Sequence, residues 1–196
     1  MERDRELIRI VDAAVAQAAR KSGSWLLCRP GCFDCCLGPF PITQLDAARL
    51  RSGLAELRAR DPERAARLQE RVRGWNERIR RDYPVNTLQV LLEADEAAEN
   101  EPCPVLDPET GTCDLYEFRP ITCRTFGPPM RFGSESLAVC DLCFRGASDA
   151  EIAACEVEIE PGNLEALLVG ELEAQTGACG DTVVAFALAP AACNST

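Results

Sequence analysis

Four cysteines in nine residues, CRPGCFDCC at positions 28–36, constrain this chain more than any other feature. Pro30 and Gly31 lie inside the stretch and Gly38, Pro39 and Pro41 follow it, so it cannot continue a helix and must form an irregular loop. Such a loop needs an organising agent. Disulfides, a metal or metal-sulfur centre, and simple burial of the thiols are the three that compete.

The redox compartment decides among them, because disulfides persist mainly in oxidising, extracytoplasmic settings. The first residues, MERDRELIRIVDAAVAQAARK, lack a basic segment followed by an unbroken apolar run, so they do not read as a secretory signal. No run of eighteen apolar residues occurs, so no membrane span is expected. The reading is therefore a cytoplasmic protein with reduced thiols, in which a tight cysteine pattern points to metal.

The remaining cysteines supply partners. Group one is Cys28, Cys32, Cys35 and Cys36; group two is Cys103, Cys113 and Cys123; group three is Cys140 and Cys143. Spacings of two or three residues let one loop present two sulfurs to one ion, and all-sulfur surroundings suit zinc or an iron-sulfur cluster. The chain has no histidine, which excludes mixed Cys/His sites and histidine acid-base catalysis. Sixty-six residues lie between Cys36 and Cys103. Closing that loop costs only about 1.3 kcal/mol more than closing a fifteen-residue one. A structural zinc ion contributes roughly 10–16 kcal/mol, whereas two uncompensated thiolates about 4 Å apart repel by about 4 kcal/mol. Neighbouring Cys35 and Cys36 diverge if the segment is extended, which assigns them to different metals or different irons. Nine cysteines allow two four-sulfur sites with one to spare, and spacing does not name the spare. Arg29 and Arg124 directly follow cysteines and Arg119 lies near, so all three are candidates for balancing thiolate charge around the metal, Arg124 first. Cys155, Cys179 and Cys193 read as small hydrophobes, with a Cys179–Cys193 disulfide as the alternative.

These residues resemble the YkgJ-type cysteine-cluster family, described as zinc- or iron-chelating. The likeness rests on the Cys28-x3-Cys32-x2-Cys35-Cys36 element, Cys103-Pro104, Gly111-x-Cys113, Tyr116-Glu117, Arg119-Pro120 and Cys123-Arg124, and spans residues 25–145. The resemblance implies metal binding without choosing the ion. A related motif occurs in flagellin lysine methylases, which the resemblance links to iron-sulfur chemistry, but this chain shows no glycine-rich methyl-donor loop.

Around this motif the periodicity is helical. Leu7, Val11, Val15 and Ala18 predict an amphipathic helix ending near Ser22 and Gly23. Thr43 with Asp46 resembles a capping box opening a helix with Leu50, Leu54 and Leu57 on one face. Asp61-Pro62 opens another, with Leu68, Val72, Trp75 and Ile79 on its apolar face, and a fourth is expected over 86–100. Residues 102–145 read as turns and short strands, with Tyr116 and Phe118 walling the site. The tail is helical through NLEALLVGELEAQ, and DTVVAFALA is strand or helix. The expected fold is mainly α with irregular loops: a single domain over 1–196, helices packed around a cysteine-rich metal-binding centre, with a helical insertion at 43–100 and a helical tail at 148–196.

Charge divides unevenly: residues 1–82 hold 17 basic and 12 acidic side chains, and 83–196 hold 4 and 20, which sum to −11. The acidic half disfavours nucleic acid and anionic membranes. In the Arg-rich stretch 58–81 the acids are interleaved at helical spacing, which reads as a solvated helix face. No catalytic residue stands out. The function classes that remain are a structural or accessory metal protein acting through a protein partner, an iron-sulfur electron-transfer protein or component of a modifying enzyme, and a labile-metal carrier or sensor.

Overall fold

The computed structural model describes residues 2–29, 31–93 and 97–190. In chain order its elements are α1 (Glu2–Ser22), α2 (Gln44–Arg60), α3 (Pro62–Asp82), α4 (Thr87–Glu93), β1 (Leu106–Asp107), β2 (Thr112–Cys113), α5 (Ile121–Thr125), β3 (Met130–Phe132), β4 (Glu135–Ser136), α6 (Asp149–Cys155), β5 (Val157–Glu158), α7 (Leu164–Thr176) and α8 (Val184–Leu188). The chain is mainly helical, as its periodicity predicts. It packs as two units, each discontinuous in sequence: one from residues up to Cys35 with Ile121–Ala178, the other from Cys36–Pro120 with residues from Cys179 onward.

In the first unit α1 is the central element, packing on α5, α6, α7 and β5. It buries Leu7, Val11, Ala14 and Ala18; Ala14 takes the inward place expected for Val15, which is half-buried. β3 pairs antiparallel with β4 and parallel with β5, forming a three-stranded sheet in which Met130 is fully buried. Ser148 and Glu151 cap α6 reciprocally: the Glu151 N–H donates to the Ser148 hydroxyl at 3.4 Å, and the Ser148 N–H donates to the Glu151 carboxylate at 2.8 Å.

In the second unit α2, α3 and α8 share a core of Ile42, Leu50, Leu54, Leu57, Leu68, Val72, Val184 and Leu188. Leu50 and Leu68 have no exposed surface, and burial of each such side chain contributes about 1.5–3 kcal/mol. The caps read from sequence are present: the Asp46 N–H donates to Thr43 Oγ1, the Arg64 N–H donates to Asp61 Oδ1, and Pro62 occupies the first turn of α3. The Asp46 carboxylate is buried and paired with Arg49.

Two expectations are corrected. The fourth helix is described over Thr87–Glu93, and residues 97–100, expected in it, form a turn with Ala98 at φ 57°. Beyond it Glu101 accepts from the Gly38 N–H at 2.9 Å, and Leu37 and Pro102 form an antiparallel bridge, so pairing with the cysteine loop takes this backbone out of the helix. The region 102–145 is not free of helix either: Cys123 sits on the single-turn α5, and 116–118 is a 3-10 turn. The ambiguous DTVVAFALA resolves as both, with Thr182 bridged to Ile42 and α8 following. Cys193 and its alternative disulfide lie outside the described residues.

Candidate metal centre

In the first unit two short turns bring two thiol pairs together. The Cys32 N–H donates to the Arg29 carbonyl at 3.0 Å, curling the loop between Cys28 and Cys32. The Cys143 N–H donates to the Cys140 carbonyl at 2.9 Å, forming the corresponding turn in Cys140-x2-Cys143. The two turns meet: the Leu27 N–H, next to Cys28, donates to Cys143 Sγ at 3.4 Å. The Cys28 thiol is pushed up to about 12 by burial first, then by Cys143, Cys140 and Cys32. Burial likewise raises Cys140. Negative charge on several of these sulfurs is thus unfavourable without a cation.

The surroundings are apolar on one side. Cys140, Cys143 and Cys155 pack with Phe144, whose ring stacks on Trp25 at 6.0 Å and 14°. Gly127, at φ 122°, passes beside Cys28, and a Cβ added there would lie 2.9 Å from its sulfur. The Cys155 thiol donates to the Lys21 carbonyl at 3.3 Å, as a packing thiol does. Cys35 and Cys123 belong to this unit, Cys123 on α5. Arg124, next to it, has 2% of its side chain exposed and donates from Nη1 to both carboxylate oxygens of Asp12 on α1, at 2.7 and 2.9 Å, which holds α5 on α1. Arg29 is exposed.

In the second unit the Cys103 N–H donates to the Cys36 carbonyl at 2.7 Å, and β1 pairs with β2 so that Leu106 faces Cys113. Cys103 and Cys113 pack against the α2–α3–α8 core beside Phe40 and Phe118. Phe118 lies against Gly53 of α2, where any Cβ would overlap its ring. Burial pushes the Cys113 thiol up to about 11, while the Leu115 N–H, Arg119 and Arg64 pull the other way. Arg119 stacks over Tyr116 at 3.9 Å and donates to its carbonyl at 3.0 Å. Phe118 is partly buried against the same core as Cys103 and Cys113, and Tyr116 is 56% exposed. Cys179 is exposed rather than buried in an apolar surround.

The residues not singled out from sequence are those that fix this hairpin. Asp114, next to Cys113, has 1% of its side chain exposed and pairs with both Arg64 and Arg71 of α3. Arg71 Nε also donates to the Pro104 carbonyl at 3.0 Å, next to Cys103. The Arg-rich helix therefore grips the backbone beside two cysteines, and part of what reads as a solvated face is a clamp. Arg64 and Arg71, seven residues apart on one helix face, were the available signal.

Cys35 and Cys36 lie in a 3-10 turn over 34–36 rather than an extended segment, and they fall in different packing units. Among the described residues no three Cys, Asp or Glu side chains stand close enough to enclose one ion. The donor set itself fits a thiophilic metal: sulfur pairs at spacings of three and two, an N–H on one sulfur, and a glycine clearing another.

The family model described as "Putative zinc- or iron-chelating domain", with the signature CxxCxxCC, matches residues 27–143, more than half of the 196-residue chain. No curated protein and no solved structure matches the chain. Among the described residues no helix is long and apolar enough to cross a membrane.

Proposed function

Because the chain belongs to the CxxCxxCC family of zinc- or iron-chelating domains, we propose that it is a structural or accessory zinc protein whose first metal group is Cys28, Cys32, Cys140 and Cys143. The observation that carries this reading is the meeting of the two turns, with the Leu27 N–H on Cys143 Sγ and Cys28 next in the chain. Two thiol pairs at spacings of three and two, brought from opposite ends of the motif, are the donor set of a four-sulfur structural site. Zinc bound there would neutralise the thiolates and fix both turns. Cys28 and Cys32 are exposed, while Cys140 and Cys143 are buried. Cys36, Cys103 and Cys113 are the second unit's share of the ligands; Cys35 and Cys123 complete the nine. Arg119 and Arg64 balance charge at Cys113. Arg29 and Arg124 stay in the charge-balancing set, Arg124 acting while it holds α5 in place. A protein partner is the accessory half of the proposal, and its support is Leu27 and Phe33, 52% and 43% exposed in the cysteine loop itself.

The test is elemental analysis with a visible spectrum on anaerobically purified protein, repeated on variants. The expected result is colourless protein containing zinc, with less in Cys28→Ser, Cys143→Ser, Cys35→Ser and Cys123→Ser and no change in Cys155→Ala. A brown protein with stoichiometric iron and sulfide replaces zinc by an iron-sulfur cluster and brings the electron-transfer reading forward. Equal metal in Cys143→Ser and Cys155→Ala breaks the ligand assignment.

A further inference from the structure

The second unit holds a cavity of about 840 Å³ among α2, α3 and α8 that the metal site does not use. Its walls combine three chemistries. Arg51 and Arg58 flank Leu54 on α2, and Arg73 and Arg80 flank Asn76 and Glu77 on α3, each set on one helix face by its three- and four-residue spacing. Phe186 and Leu188 of α8 supply an apolar floor. Four arginines against one glutamate is a strong local excess of positive charge in a chain of net charge −11.

The arginines are held but not all neutralised. Arg73 pairs with Glu70 and Glu77. Arg51 Nε donates to the Ala187 carbonyl at 2.9 Å, Arg58 Nε donates to Gln69 Oε1 at 3.3 Å, and Arg80 lies 5.2 Å from the centre of the Phe186 ring. Among the described residues no carboxylate pairs with Arg51, Arg58 or Arg80. Both helices rise equally per residue, so the Arg58–Gln69 contact places Arg51 level with Asn76. Arg80 follows Asn76 by one turn.

Asn76 supplies an independent sign. It is 8% exposed, and its Nδ2 uses both hydrogens, donating to Val72 O at 2.8 Å and Ala185 O at 2.9 Å. That fixes the amide's orientation and leaves Oδ1 a buried acceptor without a donor. Buried polar atoms are rarely left so, and Asn76 is one of the residues that line the cavity.

We propose that this cavity binds a small amphipathic acid with a hydrogen-bond donor next to its acid group, the chemistry of an apolar α-hydroxy or α-amino acid. Arg51 and Arg80 take the acid group, Asn76 Oδ1 accepts from the neighbouring hydroxyl or ammonium, and Leu54, Phe186 and Leu188 cover the apolar body. The volume falls in the range of small-molecule sites.

The test is calorimetric titration of the full-length, metal-loaded protein with 3-phenyllactate, L-phenylalanine and 3-phenylpropionate, which share a ring and a carboxylate and differ in the donor. Phenyllactate or phenylalanine should bind about tenfold more tightly than phenylpropionate, the worth of one satisfied buried acceptor. The Arg51→Gln/Arg80→Gln variant should lose at least about tenfold for that ligand, with metal content and circular dichroism unchanged. No binding of any of the three at millimolar concentration, equal binding of all three, or unchanged affinity in the arginine variant overturns the proposal. Metal content is measured on the same samples, so a failure here is separate from a failure of the zinc reading.

Discussion

The most demanding test of the hairpin clamp is Asp114→Asn. Asp114 has 1% of its side chain exposed, and its two carboxylate oxygens are taken by Arg64 and Arg71. Asparagine keeps one acceptor but sets an NH2 donor against the other arginine. Removing one partner of a fully buried ion pair costs about 3–5 kcal/mol. Arg64 and Arg71 retain 35% and 24% of their side-chain exposure, so both can rehydrate, which moves the cost toward the smaller values of exposed pairs. We expect about 2–3 kcal/mol, or about 4–12 °C in Tm for a chain of this size. Urea unfolding followed by far-ultraviolet circular dichroism, with and without zinc, reads the change. The Arg71→Gln variant completes a double-mutant cycle whose coupling should exceed about 0.5 kcal/mol. The same Asp114→Asn protein should bind less metal at Cys103 and Cys113, because the backbone beside both loses its anchor. A stability change under about 0.5 kcal/mol at unchanged m-value would refute the clamp.

Gly127→Ala should destabilise the protein by about 1–3 kcal/mol, because its φ of 122° resists a side chain and the new Cβ meets Cys28 Sγ; thermal unfolding checks this, and metal content should fall with it. Asp12→Asn strips Arg124 of its bonds to a full carboxylate while that guanidinium stays buried, and should cost about 1–3 kcal/mol in the same assay. In metal-free, reduced protein, stability should decline with rising pH between about 9 and about 11: the folded Cys113 thiol holds its proton to about 11, so the unfolded chain ionises first and is favoured. The decline should be shallower in Cys113→Ala and persist in part, because Cys28, held to about 12, and Cys140 are raised in the same direction.

Helix existence was legible because it follows from short-range pattern: Leu50, Leu54 and Leu57, or Leu68, Val72, Trp75 and Ile79, can share a face in no other way. Caps were legible for the same reason, Thr43 and Asp61 each acting on an N–H three residues on. What failed depended on partners far away in sequence. The turn at 97–100 leads into the pairing of Glu101 and Pro102 with Gly38 and Leu37, which no local window contains. The membership of the thiol groups was readable as spacing. The meeting of the turns that carry Cys28 and Cys143, 115 residues apart, was not. Asp114 was invisible because a carboxylate in a turn is the default surface residue, and only Arg64 and Arg71 make it a buried one.

The first unit's discontinuity has a consequence for biosynthesis. Cys32 and Cys140 are 108 residues apart (140 minus 32), and the stretch between them builds most of the other unit. At about 5–20 residues per second, the ribosome delivers the second thiol pair roughly 5–20 s after the first. During that interval Cys28, Cys32, Cys35 and Cys36 emerge without Cys140 and Cys143. On the proposed ligand set, a four-sulfur site in the first unit would be completed only after Cys140 and Cys143 are made.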